Sequence, residues 1–124
     1  MAYLYSFEKL QVWQKSIVLV KDIYQMTGRF PKEERFGLTD QIKRSVVSIP
    51  TNIAEGVARK TDKNKAYFST IAFGSLTELV NLLIIARELA YIPASSYDSF
   101  RDQIDEISRM LIALRNSQDK LKKS

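Results

Sequence analysis

The chain has 124 residues, 45% hydrophobic and 27% charged, enough for one domain with a real core. It carries 19 Lys and Arg against 14 Asp and Glu, a net charge of +5, with no cysteine and no histidine. Those absences exclude disulfides, thiolate nucleophiles, histidine bases and nearly every zinc site.

The opening segment, MAYLYSFEKL, has neither the basic nor the apolar region of a secretory signal. No unbroken apolar run approaches the ~18 residues that a membrane span needs, so the expectation is a soluble cytoplasmic protein. The first helix is predicted from about Phe7 to Thr27, ended by Gly28 and Pro31. Leu10, Trp13, Ile17, Val20 and Tyr24 make its main apolar face. Val12, Leu19, Ile23 and Met26 form a second apolar row on roughly the opposite side.

The second helix is predicted from Leu38 to about Lys60. At about 100° per residue, Leu38, Ile42, Val46, Ile49, Ile53 and Val57 share an apolar arc. Gln41, Ser45, Ser48, Asn52, Glu55 and Arg59 fall in a narrow arc beside it. A solvent face would be rich in Lys and Glu, whereas this stripe is mostly short hydrogen-bonding side chains. It reads as a polar seam at a packing boundary, with Glu55 and Arg59 paired. Pro50 removes one N–H from the ladder and predicts a kink, the alternative being a break at Ile49 and five shorter helices. The unbroken apolar phase favours the kink. Val47, Ala54 and Ala58, on the outer side, are small enough to admit a neighbour closely.

Asp62 is the expected N-cap of a third helix that reaches about Tyr91, before Pro93. Phe68, Ile71, Ala72, Ser75, Leu79, Leu82, Ala86 and Leu89 form its wide core face, and Phe73, Val80 and Ile84 a second row. The fourth helix starts after Ser95 or Ser96. Its Tyr97, Phe100, Ile104, Ile107, Leu111 and Leu114 alternate steps of three and four, a heptad seam. The terminal DKLKKS is expected to fray. Four helices with short connections predict an all-α, up-down-up-down four-helix bundle with a proline-kinked second helix, one domain over residues 1–124.

A bundle needs one apolar stripe per helix, and the first and third helices each have two. Exposed rows formed by Val12, Leu19, Ile23 and Met26, and by Phe73, Val80 and Ile84, would make an oligomer interface. The charge points elsewhere. Arg59, Lys60, Lys63 and Lys65 flank the second connection, and Lys120, Lys122 and Lys123 end the chain. An up-down bundle brings both groups to one pole, where they would neutralise phosphates of RNA or DNA with little sequence preference. No aromatic stacking platform is evident among these residues, which argues against a dedicated single-strand reader.

Catalytic signals are few. The chain has no Walker-type loop, no GxGxxG and no GxSxG, and no His for a di-metal carboxylate site. Glu55 with Arg59, and Glu78, are the most concentrated candidates. An i,i+4 ion pair on a helix is far more often structural than catalytic. The expectation is a protein with no enzymatic activity, no cofactor and no metal.

Three segments carry a resemblance: FEKLQVWQKS at Phe7–Ser16, FPKEERFGLTDQIKRSVVSIPTNIAEGVAR at Phe30–Arg59, and IAFGSLTELVNLL at Ile71–Leu83. Together they resemble the four-helix-bundle proteins of the 23S rRNA intervening-sequence family. SIPTNIAEG and GSLTEL are the specific segments, because an intrahelical proline followed by Asn and Glu-Gly is not a generic bundle pattern. The family includes the accessory variability protein of diversity-generating retroelements, a basic pentameric barrel that binds nucleic acid and a reverse transcriptase. The resemblance therefore implies a cyclic homo-oligomer, a pentamer, without catalysis. It also implies nucleic acid, or a protein such as a reverse transcriptase, as partner.

Overall fold

A computed structural model describes residues 3–123, the side chains of 120–123 excepted. It contains α1 (Gln11–Thr27), α2 (Leu38–Val57), α3 (Asp62–Glu88) and α4 (Ala94–Lys123), with short 3-10 turns at Ser6–Lys9 and Lys32–Glu34. Consecutive helices pack side by side and α1 closes against α4, which gives the up-down-up-down bundle. The α2–α3 contact is the most extensive and the α1–α4 contact the least.

The helix ends follow local chemistry. Leu10 is extended, so the segment from Ser6 forms a separate 3-10 turn and α1 begins at Gln11. Thr61, rather than Asp62, caps α3: its Oγ1 accepts the Asn64 N–H at 3.2 Å, and Asp62 occupies the first turn. α3 stops at Glu88 because Ala90 turns left-handed (φ 61°) and the Tyr91 N–H reaches back to the Ala86 carbonyl. That closure is a Schellman-type end. α4 starts at Ala94, directly after Pro93.

α2 runs unbroken through Pro50, which excludes the five-helix alternative. Its apolar arc explains why: Ile42, Val46, Ile49 and Ile53 are at most 1% exposed, so packing on both sides of the proline holds one helical phase. The heptad seam of α4 is buried from Tyr97 to Leu111, with Leu114 packed at its edge. α3 is long and apolar enough in length and composition to cross a membrane. Here it is the helix wedged between α2 and α4, burying Ser69, Ala72, Leu76, Leu79, Leu82, Leu83 and Ala86. Leu89, assigned to the core face by its spacing, is exposed past the helix end.

The two rows of α1 are the reverse of the expectation. Val12, Leu19 and Ile23 are core residues, and Met26 packs on the core edge. They are not available as an oligomer surface. The buried row also includes Ser16 and Thr27, whose hydroxyls donate to the Trp13 and Tyr24 carbonyls of their own helix. Hydrogen bonds to their own helix leave neither buried hydroxyl without a partner. Trp13 and Val20 pack half-buried at the core edge, Ile17 is half-buried, and Tyr24 is exposed. In α3, Phe73, Val80 and Ile84 are likewise packed against the core as half-buried residues, with the Arg115 guanidinium 5.7 Å from the Phe73 ring.

Candidate functional site

The polar seam on α2 divides into a buried middle and exposed ends. Ser45, buried, donates from Oγ to the Ser75 carbonyl of α3 at 2.9 Å. The Ser48 and Ser75 hydroxyls share a hydrogen bond at 2.8 Å, and Asn52 Nδ2 donates to both the carbonyl and the hydroxyl of Ser48. No buried side-chain polar atom among the described residues lacks a partner. This cluster fixes the register of α2 on α3, as hydrogen-bonded groups at a packed boundary do. Gln41 is exposed at one end. At the other end Glu55 and Arg59 form an exposed ion pair at 2.8 Å. Glu78 is exposed on α3, a different helix from the Glu55–Arg59 pair.

Beyond the seam lies the pole where α2 ends and α3 begins. Gly56 makes it compact: a Cβ there would lie 2.9 Å from the Phe68 Cβ, so only glycine lets α3 pass this closely. Phe68 in turn carries the Arg59 guanidinium 4.5 Å over its ring, a cation–π contact. The charge of Arg59 is thus shared between Glu55 and an aromatic face. Lys60 and Lys63 are exposed and Lys65 is half-buried. None of these three lysines enters an ion pair among the described residues, whereas Lys15, Arg44, Arg59, Arg87 and Arg101 each do.

The end of α4 reaches the same pole. The Ser69 hydroxyl, one turn past Lys65, donates to Gln118 Oε1 at 2.9 Å in a buried contact. Lys120, Lys122 and Lys123 follow directly, and their side chains lie outside the described residues.

Two aromatic groups stand at this pole that spacing alone did not single out. Tyr67 is 53% exposed, and its ring stacks on Phe68 at 5.4 Å and 25°. At the chain start, Tyr3, Tyr5, Phe7 and Trp13 form a ladder of rings 5.1–5.9 Å apart. Exposed rings therefore stand at the same pole as the basic residues, although none lies among those residues themselves. Phe68 had been counted as core, and Tyr67 lay outside every apolar row. The usable signal was the i,i+4 spacing of Lys63 and Tyr67, which puts a cation and a ring on one face.

The outer rows of α1 and α2 enclose a groove of about 610 Å³. Trp13, Ile17 and Val20 form one wall, Val47, Pro50, Ala54 and Ala58 the other, and Tyr5 and Phe7 close one end. Unlike it, the α1–α4 side is joined by polar groups: Lys15 pairs with Glu106 at 2.7 Å, and Gln103 Nε2 donates to Asp22 at 3.4 Å. The Lys15 ammonium holds the Glu106 carboxyl below the usual carboxylate range.

The family model described as 23S rRNA-intervening sequence protein matches residues 8–113. The chain belongs to this family. The match spans α1, α2, α3 and most of α4, and includes the seam, Pro50 and Lys60–Lys65. Among solved structures, the chain is similar to a Bacteroides thetaiotaomicron protein of the S23 ribosomal protein family, described as having unknown function. The TM-score is 0.75 and the identity 25%, over 84% of this chain and 97% of that one. No curated protein sequence matches the chain. The resemblance seen in SIPTNIAEG and GSLTEL thus reflects family membership. Those segments contain Ser48, Asn52, Gly56 and Ser75, the residues that bring α2 and α3 together.

Proposed function

We propose that this member of the 23S rRNA-intervening sequence protein family is a non-catalytic, cyclic homo-oligomer, a pentamer, that binds RNA or DNA through its basic pole. The observation that carries the binding reading is the gathering of Lys60, Lys63 and Lys65, all outside the ion pairs, beside the end of α4. A cyclic assembly would repeat that pole around an axis and multiply its field. The Glu55–Arg59 pair serves structure in this reading, with both charges committed to each other. Electrophoretic shifts with structured RNA and duplex DNA across a salt series test it. Reversing Lys60, Lys63 and Lys65 to Glu is expected to flatten the dependence of log K on log salt by about 2–3. Negligible binding by the wild-type protein at low salt, or an unchanged slope in the variant, overturns the reading.

Self-association is supported by the α1–α2 groove, which replaces the α1 row of Val12, Leu19 and Ile23 that lies in the core. Light scattering is expected to show a multimer, and Val47→Glu with Ala58→Glu a smaller species, since both residues are exposed in the single chain. A wild-type monomer at tens of micromolar or so overturns this part. The same groove is also the observation that favours a second reading, an adaptor that docks another protein, such as a reverse transcriptase by family analogy. A partner that co-purifies after nuclease treatment, and is lost in the groove variant while the multimer persists, would select it.

A further inference from the structure

The proposed function treats the pole as a patch of charge, and charge alone would take any polyanion. The ring at its centre is more selective. We propose that Tyr67 is a stacking platform for an unpaired nucleobase, with Lys60 and Lys63 holding the adjacent phosphates, so that the pole prefers single-stranded nucleic acid. This rests on the nucleic-acid reading and narrows its ligand class.

Three observations converge on Tyr67. First, the residue is exposed: Tyr67 has just over half of its surface open to solvent, and Phe68 is its only aromatic neighbour among the described residues. Second, it is held in place from behind. Phe68 sits against Gly56 on one side and beneath the Arg59 guanidinium at 4.5 Å, so the ring on which Tyr67 stacks is itself fixed. A positioned ring loses little side-chain freedom when a base lands on it. Third, Lys63 lies one helical turn before Tyr67 and Lys60 lies in the preceding connection, both exposed and outside the ion pairs. A flat π-face with cations at its edge is the pairing used by proteins that bind single strands without reading sequence. A duplex hides its base faces and would engage the lysines alone.

The most exposed aromatic of the chain is elsewhere and serves as the internal control. Phe36 is 87% exposed with Arg35 5.2 Å over its ring, at the opposite pole. Glu33, Glu34 and Asp40 lie near it in sequence together with Lys32, Lys43 and Arg44, so this ring stands in mixed charge. Exposure of a ring is thus shared by both poles; what sets Tyr67 apart is a backing ring pinned by Arg59 and Gly56, with exposed lysines on the adjoining turn and connection.

The test uses the full-length protein and labelled oligonucleotides of roughly 12 nucleotides, oligouridine, oligothymidine and a mixed-sequence duplex, with fluorescence anisotropy at low salt. Tyr67→Ala is expected to weaken both single strands by roughly 5- to 150-fold and the duplex by less than about twofold. Tyr67→Phe should retain single-strand affinity, since stacking needs the ring and not the hydroxyl. Phe36→Ala should change nothing. The ratio of the two single-strand affinities tells whether RNA or DNA is the better ligand. Equal losses on single strands and duplex, or no loss at all, overturn the stacking site and leave the charged pole standing. If the wild-type protein binds none of the three, this site and the nucleic-acid function fall together. Tyr67 is a surface residue, and unchanged helical circular dichroism of the variants confirms that folding is not what is read.

Discussion

The bundle's two ends both carry rings and charges and use them in opposite ways. Where α1 turns into α2 and α3 into α4, the groups are consumed by one another. The Glu34 carboxylate accepts from the Tyr91 hydroxyl at 2.8 Å and from the Leu38 N–H at 3.2 Å, tying the start of α2 to the second connection. Phe30 packs on Tyr91, the Arg87 guanidinium covers the Tyr97 ring at 4.4 Å, and Arg101 donates to the Tyr97 hydroxyl. At the other end, Gly56 and the Ser69–Gln118 contact do the joining with small groups, and Tyr67, Lys60 and Lys63 are left over. The comparison teaches that an end closed by backbone proximity need not commit its charged and aromatic side chains to the joining. At the end closed by side chains, Glu34, Tyr91, Arg87 and Tyr97 are committed to one another, and Phe36 with Arg35 over it is what stays exposed.

That contrast gives the largest expected stability effect. Gly56→Val places a branched side chain where even a Cβ would sit 2.9 Å from Phe68 and 3.3 Å from the Lys65 carbonyl. Backbone lies on one side, so α2 and α3 must separate, at a cost of about 3 kcal/mol in urea denaturation. Gly74→Ala is the matched control in the same helix pair: nothing lies within 4 Å of its added Cβ, and a helical alanine should stabilise by about 1 kcal/mol. Opposite signs from two helical glycines would tie the cost to the close approach of α3 at Gly56. Equal signs would remove the contrast.

The architecture was largely readable because it rests on periodicity. The heptad seam from Tyr97 to Leu111 and the arc from Ile42 to Ile53 are buried as their spacing requires. The seam from Ser45 to Asn52 was legible too, since short polar residues beside an apolar arc have few other uses. What failed was the choice between two apolar rows on one helix. In α1, hydrophobicity favoured the row of Trp13, Ile17 and Val20, and packing chose Val12, Ser16, Leu19, Ile23 and Thr27. Two buried hydroxyls, invisible to a count of apolar residues, decided it by satisfying themselves on their own helix. The site was half legible for a related reason. Lys60, Lys63 and Lys65 stand out by charge, whereas Tyr67 matters only because Phe68 beneath it is pinned by Arg59 and Gly56. A partner chosen in three dimensions leaves little mark on spacing.

The smallest effect belongs to the closed end and concerns protons. The hydrogen bond to Glu34 raises the Tyr91 hydroxyl above the ordinary tyrosine pKa of 10.0, with burial and the nearby Glu34 and Glu33 charges adding to it. The folded state therefore favours the protonated phenol. Its contribution is fully present below the unfolded pKa and is lost as pH rises through the raised folded value. Comparing urea midpoints of the wild-type protein and Tyr91→Phe at about pH 8 and about pH 11.5 should reveal it. A small gap in favour of the wild type is expected at the lower pH, and it should narrow at the higher one, as the unfolded state gives up its phenol proton above the ordinary pKa. If the Tyr91 gap stays constant across that range, its hydroxyl proton is not part of what closes this end, and packing of the Tyr91 ring on Phe30 is left to do so.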